Sequence, residues 1–222
     1  MTAAVGRGWM SWSSGKDGAF ARQAVRDAVD VVGLLTTLDG RTGQVPVHGV
    51  PNELVRAQAH ALGLPLHVVE LPWPCPNDVY EARTVQALAG ARREGVDRLV
   101  FGDLHLRDVR EYRERALSGS GVEPVFPLWG RPTAELAAQI VRSGLRAVVV
   151  SVDLARAPAE LAGRWFDERF LAELPAGIDP CGEHGEFHTF VVDGPGFAAA
   201  VDVEVGAVVE REGFAVAELA PG

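Results

Sequence analysis

Between residues 8 and 122, short apolar runs alternate with longer stretches whose apolar positions recur every three or four residues. The runs at 9–13, 31–36, 66–71 and 98–101 read as buried strands, bounded by turn residues and rich in β-branched and aromatic side chains. The stretches at 19–28, 52–62 and 77–94 read as helices. Asn52 and Asn77 are their expected N-caps, after Pro51 and Pro76, and Gly63 and Gly95 their stops. This alternation predicts an α/β fold with a doubly wound parallel sheet. Ligands of such sheets bind beyond the carboxyl ends of the strands, where the strand order reverses. The loop at 13–18, Thr36-Thr37 and Gly102-Asp103 are therefore expected around one crevice.

Residues 106–117 form an Arg/Glu-rich helix with charges at i,i+3 and i,i+4 spacing, which reads first as a solvated face. Ser118-Gly119-Ser120-Gly121 ends it and divides the chain into parts at 1–121 and 122–222. In the second part, helices are expected at 133–141 and 168–174 and a strong strand at 146–152, after an apolar stretch at 124–129. Alternation at 187–192, 200–209 and 214–219 predicts antiparallel strands closing a smaller C-terminal α/β domain. No low-complexity linker separates the parts, so they should share an extensive interface.

The composition, 47% hydrophobic and 23% charged over 222 residues, is that of a globular chain able to build its own core. A net charge of -9, from 21 basic and 30 acidic side chains without a dense Lys/Arg run, argues against nucleic acid as a partner. The longest apolar stretches, at 29–38 and 145–152, are far too short for a membrane span. The N-terminus lacks a signal-peptide layout, so a cytoplasmic location is expected. Two cysteines, Cys75 and Cys181, make neither a disulfide framework nor a four-ligand zinc site, and both read as packing residues. A zinc site from Cys181, His184 and His188 is the weaker alternative.

The chemistry concentrates in two segments. Ser13-Ser14-Gly15-Lys16-Asp17-Gly18 lies between a strand and a helix. Gly15 would let the backbone approach a ligand, the free N–H groups of the first helical turn would face an anion, and Lys16 adds a positive charge. The run is no Walker A loop, because Met10 holds the first Gly position and Asp17 follows the lysine. Asp17 caps the helix or holds a metal ion. The second segment is Asp179-Pro180-Cys181-Gly182-Glu183-His184-Gly185-Glu186-Phe187-His188-Thr189-Phe190-Val191, followed by Asp193-Gly194-Pro195-Gly196-Phe197. Glycines around Glu183, Glu186 and His188 would let a turn aim two carboxylates and an imidazole into one pocket. In isolation those groups read as surface loop charges and a satisfied polar residue.

The first loop resembles the PP-loop of the adenine-nucleotide alpha hydrolase superfamily, whose usual form is Ser-Gly-Gly-Lys-Asp-Ser. The second segment, with Phe101-Gly102-Asp103-Leu104 and Phe126-Pro127-Leu128-Trp129-Gly130, is similar to the diphthine ammonia ligase family across nearly the whole chain. The resemblance implies a PP-loop, Rossmann-like fold, with ATP and Mg²⁺ as cofactors. It also implies an AMP-forming ligase that adenylates a small-molecule or protein carboxylate and passes the acyl group to ammonia. Ser13, Ser14, Gly15, Lys16, Asp17, Gly18, Thr36, His48, Gly102 and Asp103 would then hold the nucleotide, with Asp17 on the metal. Arg110, Gly182, Glu183, Glu186, His188 and Thr189 would meet the substrate, and Lys16, Glu183 and Glu186 would be catalytic. Gly18 stands where the family loop ends in Ser, a loss that the Ser13 or Ser14 hydroxyl could cover. Two alternatives stay open: a non-catalytic nucleotide-binding protein, and a PP-loop sulfur transferase acting on tRNA. A homodimer is left open as well.

Overall fold

Trp9 and Met10 are neighbours in the first strand, yet each lies in a different hydrophobic core, because successive strand side chains point to opposite faces. The same division repeats at Leu34 and Leu35 and at Leu99 and Val100, so one sheet separates two cores. The computed structural model describes residues 6–72 and 74–222; residues 1–5 and Trp73 lie outside that description.

The first unit runs β1 (Gly6–Ser11), α1 (Lys16–Ala24), β2 (Val29–Asp39), β3 (Gln44–Val45), β4 (Val50–Pro51), α2 (Asn52–Ala61), β5 (Leu66–Leu71), α3 (Asn77–Arg93), β6 (Arg98–Val100), α4 (Arg107–Leu117) and β7 (Glu123–Val125). Its five-stranded sheet has the order β5-β2-β1-β6-β7, parallel throughout. From β1 the chain winds outward through β2 and β5, then returns to β6 on the other side. The strand order therefore reverses between β1 and β6, where the crevice was expected.

The second unit comprises α5 (Thr133–Arg142), β8 (Arg146–Asp153), α6 (Glu168–Ala172), β9 (Phe187–Asp193), β10 (Val203–Arg211) and β11 (Phe214–Pro221). Its four-stranded antiparallel sheet has the order β10-β11-β8-β9. Both units share the larger core, in which Met10, Leu34 and Leu54 join Val148, Phe170 and Phe190.

Three sequence expectations need correction. The division after residue 121 falls one strand early, because β7 pairs in parallel with β6 and completes the first sheet. Asn52 and Asn77 are not N-caps: Pro51 and Pro76 hold those positions in extended backbone, each Asn is the first helical residue, and no side chain caps either helix. Helix α1 begins at Lys16, three residues before its expected start, which draws Lys16, Asp17 and Gly18 into its first turn. Gly63 and Gly95 do follow their helices with φ of +64° and +78°, the left-handed conformation that glycine adopts without strain. Among the described residues, no helix is long and apolar enough to cross a membrane.

Candidate functional site

The loop after β1 is held from both sides. Ser14 has φ +72°, a left-handed conformation strained for a residue with a Cβ. That turn aims the Ser14 carbonyl at the Val191 N–H (2.9 Å) and the Gln58 amide (3.1 Å). The Lys16 N–H donates to Thr189 Oγ1 at 3.0 Å. On the far side lies Gly102, where a Cβ would sit 2.8 Å from Gly18 N and 2.9 Å from Asp17 C. Only glycine lets the end of β6 approach the loop this closely. The Ser14 position is glycine in the usual PP-loop, and its positive φ is the physical reason. Sequence reading singled out Gly18 as the departure, yet a Cβ there would meet nothing nearer than 3.6 Å.

Lys16 is not aimed at solvent. Its side chain is buried, and Nζ donates to Asp17 Oδ2 at 2.9 Å and to the Cys181 carbonyl. The Phe166 and Phe187 rings flank it at 5.2 and 5.3 Å. Burial is the largest influence and works against the ammonium, but Asp17, Cys181 and Glu183 together outweigh it and hold the Lys16 pKa above the usual lysine value. The lysine expected to grip phosphate thus ties the loop to the acidic motif of the second unit.

That motif is organised by its own carboxylates. Asp179 accepts from the Cys181 and Glu183 N–H groups at 2.8 and 3.2 Å and from the Thr133 hydroxyl at 2.6 Å. Glu186 accepts from the Asp179 and His184 N–H groups at 3.1 and 3.0 Å; it is buried and stands behind the cavity wall. Glu183 does line the cavity, with Oε1 accepting from the Leu104, His105 and Leu106 N–H groups at 3.1, 2.8 and 3.3 Å, just before α4. Burial pushes its carboxyl up, with the amides working against that shift. Cys181 donates to the Thr133 carbonyl at 3.4 Å, and burial pushes its thiol up to about 12, which makes it inert as a nucleophile.

The resulting cavity of about 830 Å³ has two ends. One is polar and lies where His48, Arg156, His184 and His188 meet the loop after β1. The other is more apolar, between Leu35, Tyr80, Leu99, Tyr112 and Leu117 on the face covered by α3 and α4. Ser13, Gly15, Asp17, Gly18, Gly102, Asp103, Gly182 and Thr189 line it as well. Besides Glu186, three proposed residues do not. Ser14 is buried beneath the loop, with a hydroxyl that has no partner. Thr36 points to the other face of β2, where strand alternation puts Leu35 and Thr37 on the cavity side. Arg110 lies 4.8 and 4.7 Å from the Phe126 and Trp129 rings and pairs with Glu114. One turn on, Arg113 faces the cavity instead, stacked 4.4 Å from Phe101 and paired with Asp103 at 2.8 Å. Its i,i+3 relation to Arg110 was visible in the sequence, but which member turns inward was not.

His48 and His188 come from different units and meet at the cavity wall, with ring centroids 4.5 Å apart. His48 Nδ1 donates to the Pro46 carbonyl at 3.2 Å, which leaves Nε2 as an acceptor. Burial first, with Lys16 adding to it, lowers the His48 pKa from 6.5 to about 4, and the same causes together with His48 depress His188. Both rings are neutral at pH 7. Unfolded histidine takes up a proton near 6.5, whereas folded His48 resists until about 4. Stability is therefore complete above 6.5 and falls as pH drops through this window, by roughly 2–3 kcal/mol for this residue. Urea midpoints at neutral pH and at about pH 5 should show that loss, and His48→Gln should reduce it. An unchanged pH slope in that variant would remove His48 as the cause.

A parallel sheet whose first strand passes through a Gly-Lys turn into a helix, with a cavity at the reversal of strand order, defines a PP-loop-type α/β protein. The particular family follows from comparison: residues 6–124 match the diphthamide synthase N-terminal domain and residues 132–217 the diphthamide synthase C-terminal domain. The chain belongs to the diphthamide synthase family. It is 30% identical to a diphthine–ammonia ligase of Bos taurus over 134 residues, 58% of this chain and 50% of that protein. With the Danio rerio enzyme of the same name it shares 29% over 178 residues, 70% and 67% of the two chains. It spans about half the length of the mammalian relatives it matches. A Methanocaldococcus jannaschii structure described as a predicted subunit of tRNA methyltransferase overlays with a TM-score of 0.44, at 17% identity, over 85% of this chain and 98% of its own.

Proposed function

We propose that the chain is an ATP-dependent, amide-forming ligase of the diphthine–ammonia ligase type. One observation supports this above the others: the loop after β1 and the acidic motif, 165 residues apart at Lys16 and Cys181, wall a single cavity. In this reading a substrate carboxylate oxygen attacks the α-phosphorus of ATP and pyrophosphate leaves with the bonding pair. Ammonia then attacks the acyl carbon, gives up a proton, and AMP departs. The helix α1 N-terminus receives the phosphates, and the apolar end between Tyr80 and Leu117 takes the adenosine. A cavity of about 830 Å³ leaves room for a second substrate at the polar end.

Magnesium, when bound, offsets the charge of the leaving pyrophosphate. Asp17 fits the role, because its Oδ1 has no partner while Oδ2 is held by Lys16. Glu183, at the wall and with a raised carboxyl pKa, accepts the proton or binds ammonium. Glu186 acts through the turn it organises. Free cysteines fit a cytoplasmic setting.

The test is incubation with ATP, Mg²⁺, ammonium and a pool of carboxylic acids, following labelled AMP and pyrophosphate. Accumulation of ADP would point to different chemistry. Glu183→Gln should leave ATP binding intact and lower ammonia-dependent product by at least tenfold, about 1.4 kcal/mol in barrier. Glu186→Gln should lose stability along with activity. Full ligase activity in both variants would make the two carboxylates dispensable. A non-catalytic nucleotide-binding role gains support from the three amides that already occupy Glu183 Oε1; it predicts ATP binding with no turnover on any carboxylate.

A further inference from the structure

Strand β10 is the free edge of the antiparallel sheet, with β11 its one neighbour among the described residues. The first sheet guards its β7 edge by brevity and by Pro124, whereas β10 runs for nine residues without proline or lysine. Two of its valines are exposed, Val205 at 37% and Val208 at 47%, and Trp165 nearby is 40% accessible. The segment carrying Trp165 passes close to the strand, since a Cβ on Gly163 would lie 3.6 Å from Val208 and 3.9 Å from Val205. Three of the five large exposed hydrophobic residues in the described chain thus gather at one edge.

The register of β10 makes this edge complementary to itself. One extra residue between Val205 and Val208 shifts its pairing with β11, so that Val205, Val208 and Glu210 stand opposite Leu219, Ala217 and Ala215 on one face. Glu204 and Arg211 project from the other face. In an antiparallel pair, directly opposed residues share a face. A twofold axis at Val208 satisfies that rule along the strand: Val208 meets its own copy, Val205 meets Glu210, and Glu204 meets Arg211 at both ends. A register centred on Val209 instead sets Arg211 against the bulged residues Gly206 and Ala207; within its own chain Arg211 pairs with Glu218.

We propose that β10 pairs with β10 of a second copy of this chain around a twofold axis at Val208, joining the two antiparallel sheets into one. The contact is isologous. The open edge and its apolar cover have a single occupant, which needs no ligand and no turnover.

Sedimentation equilibrium of the full chain should give twice the 23.7 kDa chain mass, falling on dilution. Val208→Arg should return it to the single mass. Val208→Thr keeps the β-branched shape, and matching circular dichroism and melting of the two variants would separate lost pairing from lost folding. In a Cys75→Ser background, Val208→Cys should form a disulfide-linked dimer on mild oxidation. Glu204→Cys should not, because its opposite number is Arg211. A parent chain at the single mass at all concentrations, or a Val208→Arg variant that stays dimeric, would overturn the proposal. Either result would assign this edge to a different partner or dimerisation to a different surface.

Discussion

Lys16→Met is expected to lower the free energy of unfolding by about 2–4 kcal/mol, in addition to any loss of nucleotide affinity. From sequence, Lys16→Ala would be expected to weaken ATP binding or turnover on the scale of one charge-stabilising donor, about 2–4 kcal/mol. The structure adds a second role. The ammonium is the buried link between Asp17 and the Cys181 carbonyl, so its removal leaves a partly buried carboxylate and a carbonyl without their donor. Urea unfolding followed by tryptophan fluorescence, beside ATP calorimetry, separates the two effects. Unchanged stability with a large drop in affinity would mean that the lysine leaves its clamp and serves the phosphates; unchanged values for both would exclude Lys16 from the site.

Gly102→Ala should be damaging although it adds a single methyl group. Its Cβ would meet two backbone atoms, at 2.8 and 2.9 Å, and neither can rotate away. Relief requires the loop of α1 to move off the end of β6, at an overpacking cost of about 1–3 kcal/mol. ATP affinity should fall by at least tenfold, since the displaced amides are those that would face the phosphates. Gly18→Ser is the matched control. Its Cβ has ordinary van der Waals space, and it restores the hydroxyl of the usual loop, so fold and stability should be retained. Equal affinity losses in the two variants would show that the contact between Gly102 and the loop is unimportant.

Strands, helices and the two-part layout were legible because periodicity and turn chemistry are properties of near neighbours. Leu66–Leu71 is a strand over its expected span, and glycines 63 and 95 end their helices for a backbone reason. Legibility failed where a neighbour far along the chain decides. Residues 123–125 are too short a run to be placed from their own pattern, and only pairing with β6 assigns them to the first sheet. Thr36 and Thr37 were equivalent in sequence until the pairing of β2 with β1 and β5 set which face each one takes.

The candidate site divides along the same line. Its ingredients were present in two segments of sequence: a Gly-Lys turn that opens a helix, and a Gly-rich acidic run. Strand order placed the loop at a crevice; the acidic run reaches that crevice only through packing of the second unit on the first. The direction of each side chain was not legible either. Lys16 turns inward because the Cys181 carbonyl and two phenylalanines arrive from the second unit. Glu183 reaches the amides before α4 across 77 to 79 residues, while Glu186, three positions later, spends both oxygens on its own turn. Local sequence sets what a backbone segment can become. The partner that a buried charge or lone pair finds is set by packing, because burying it alone costs more than any local preference can offset.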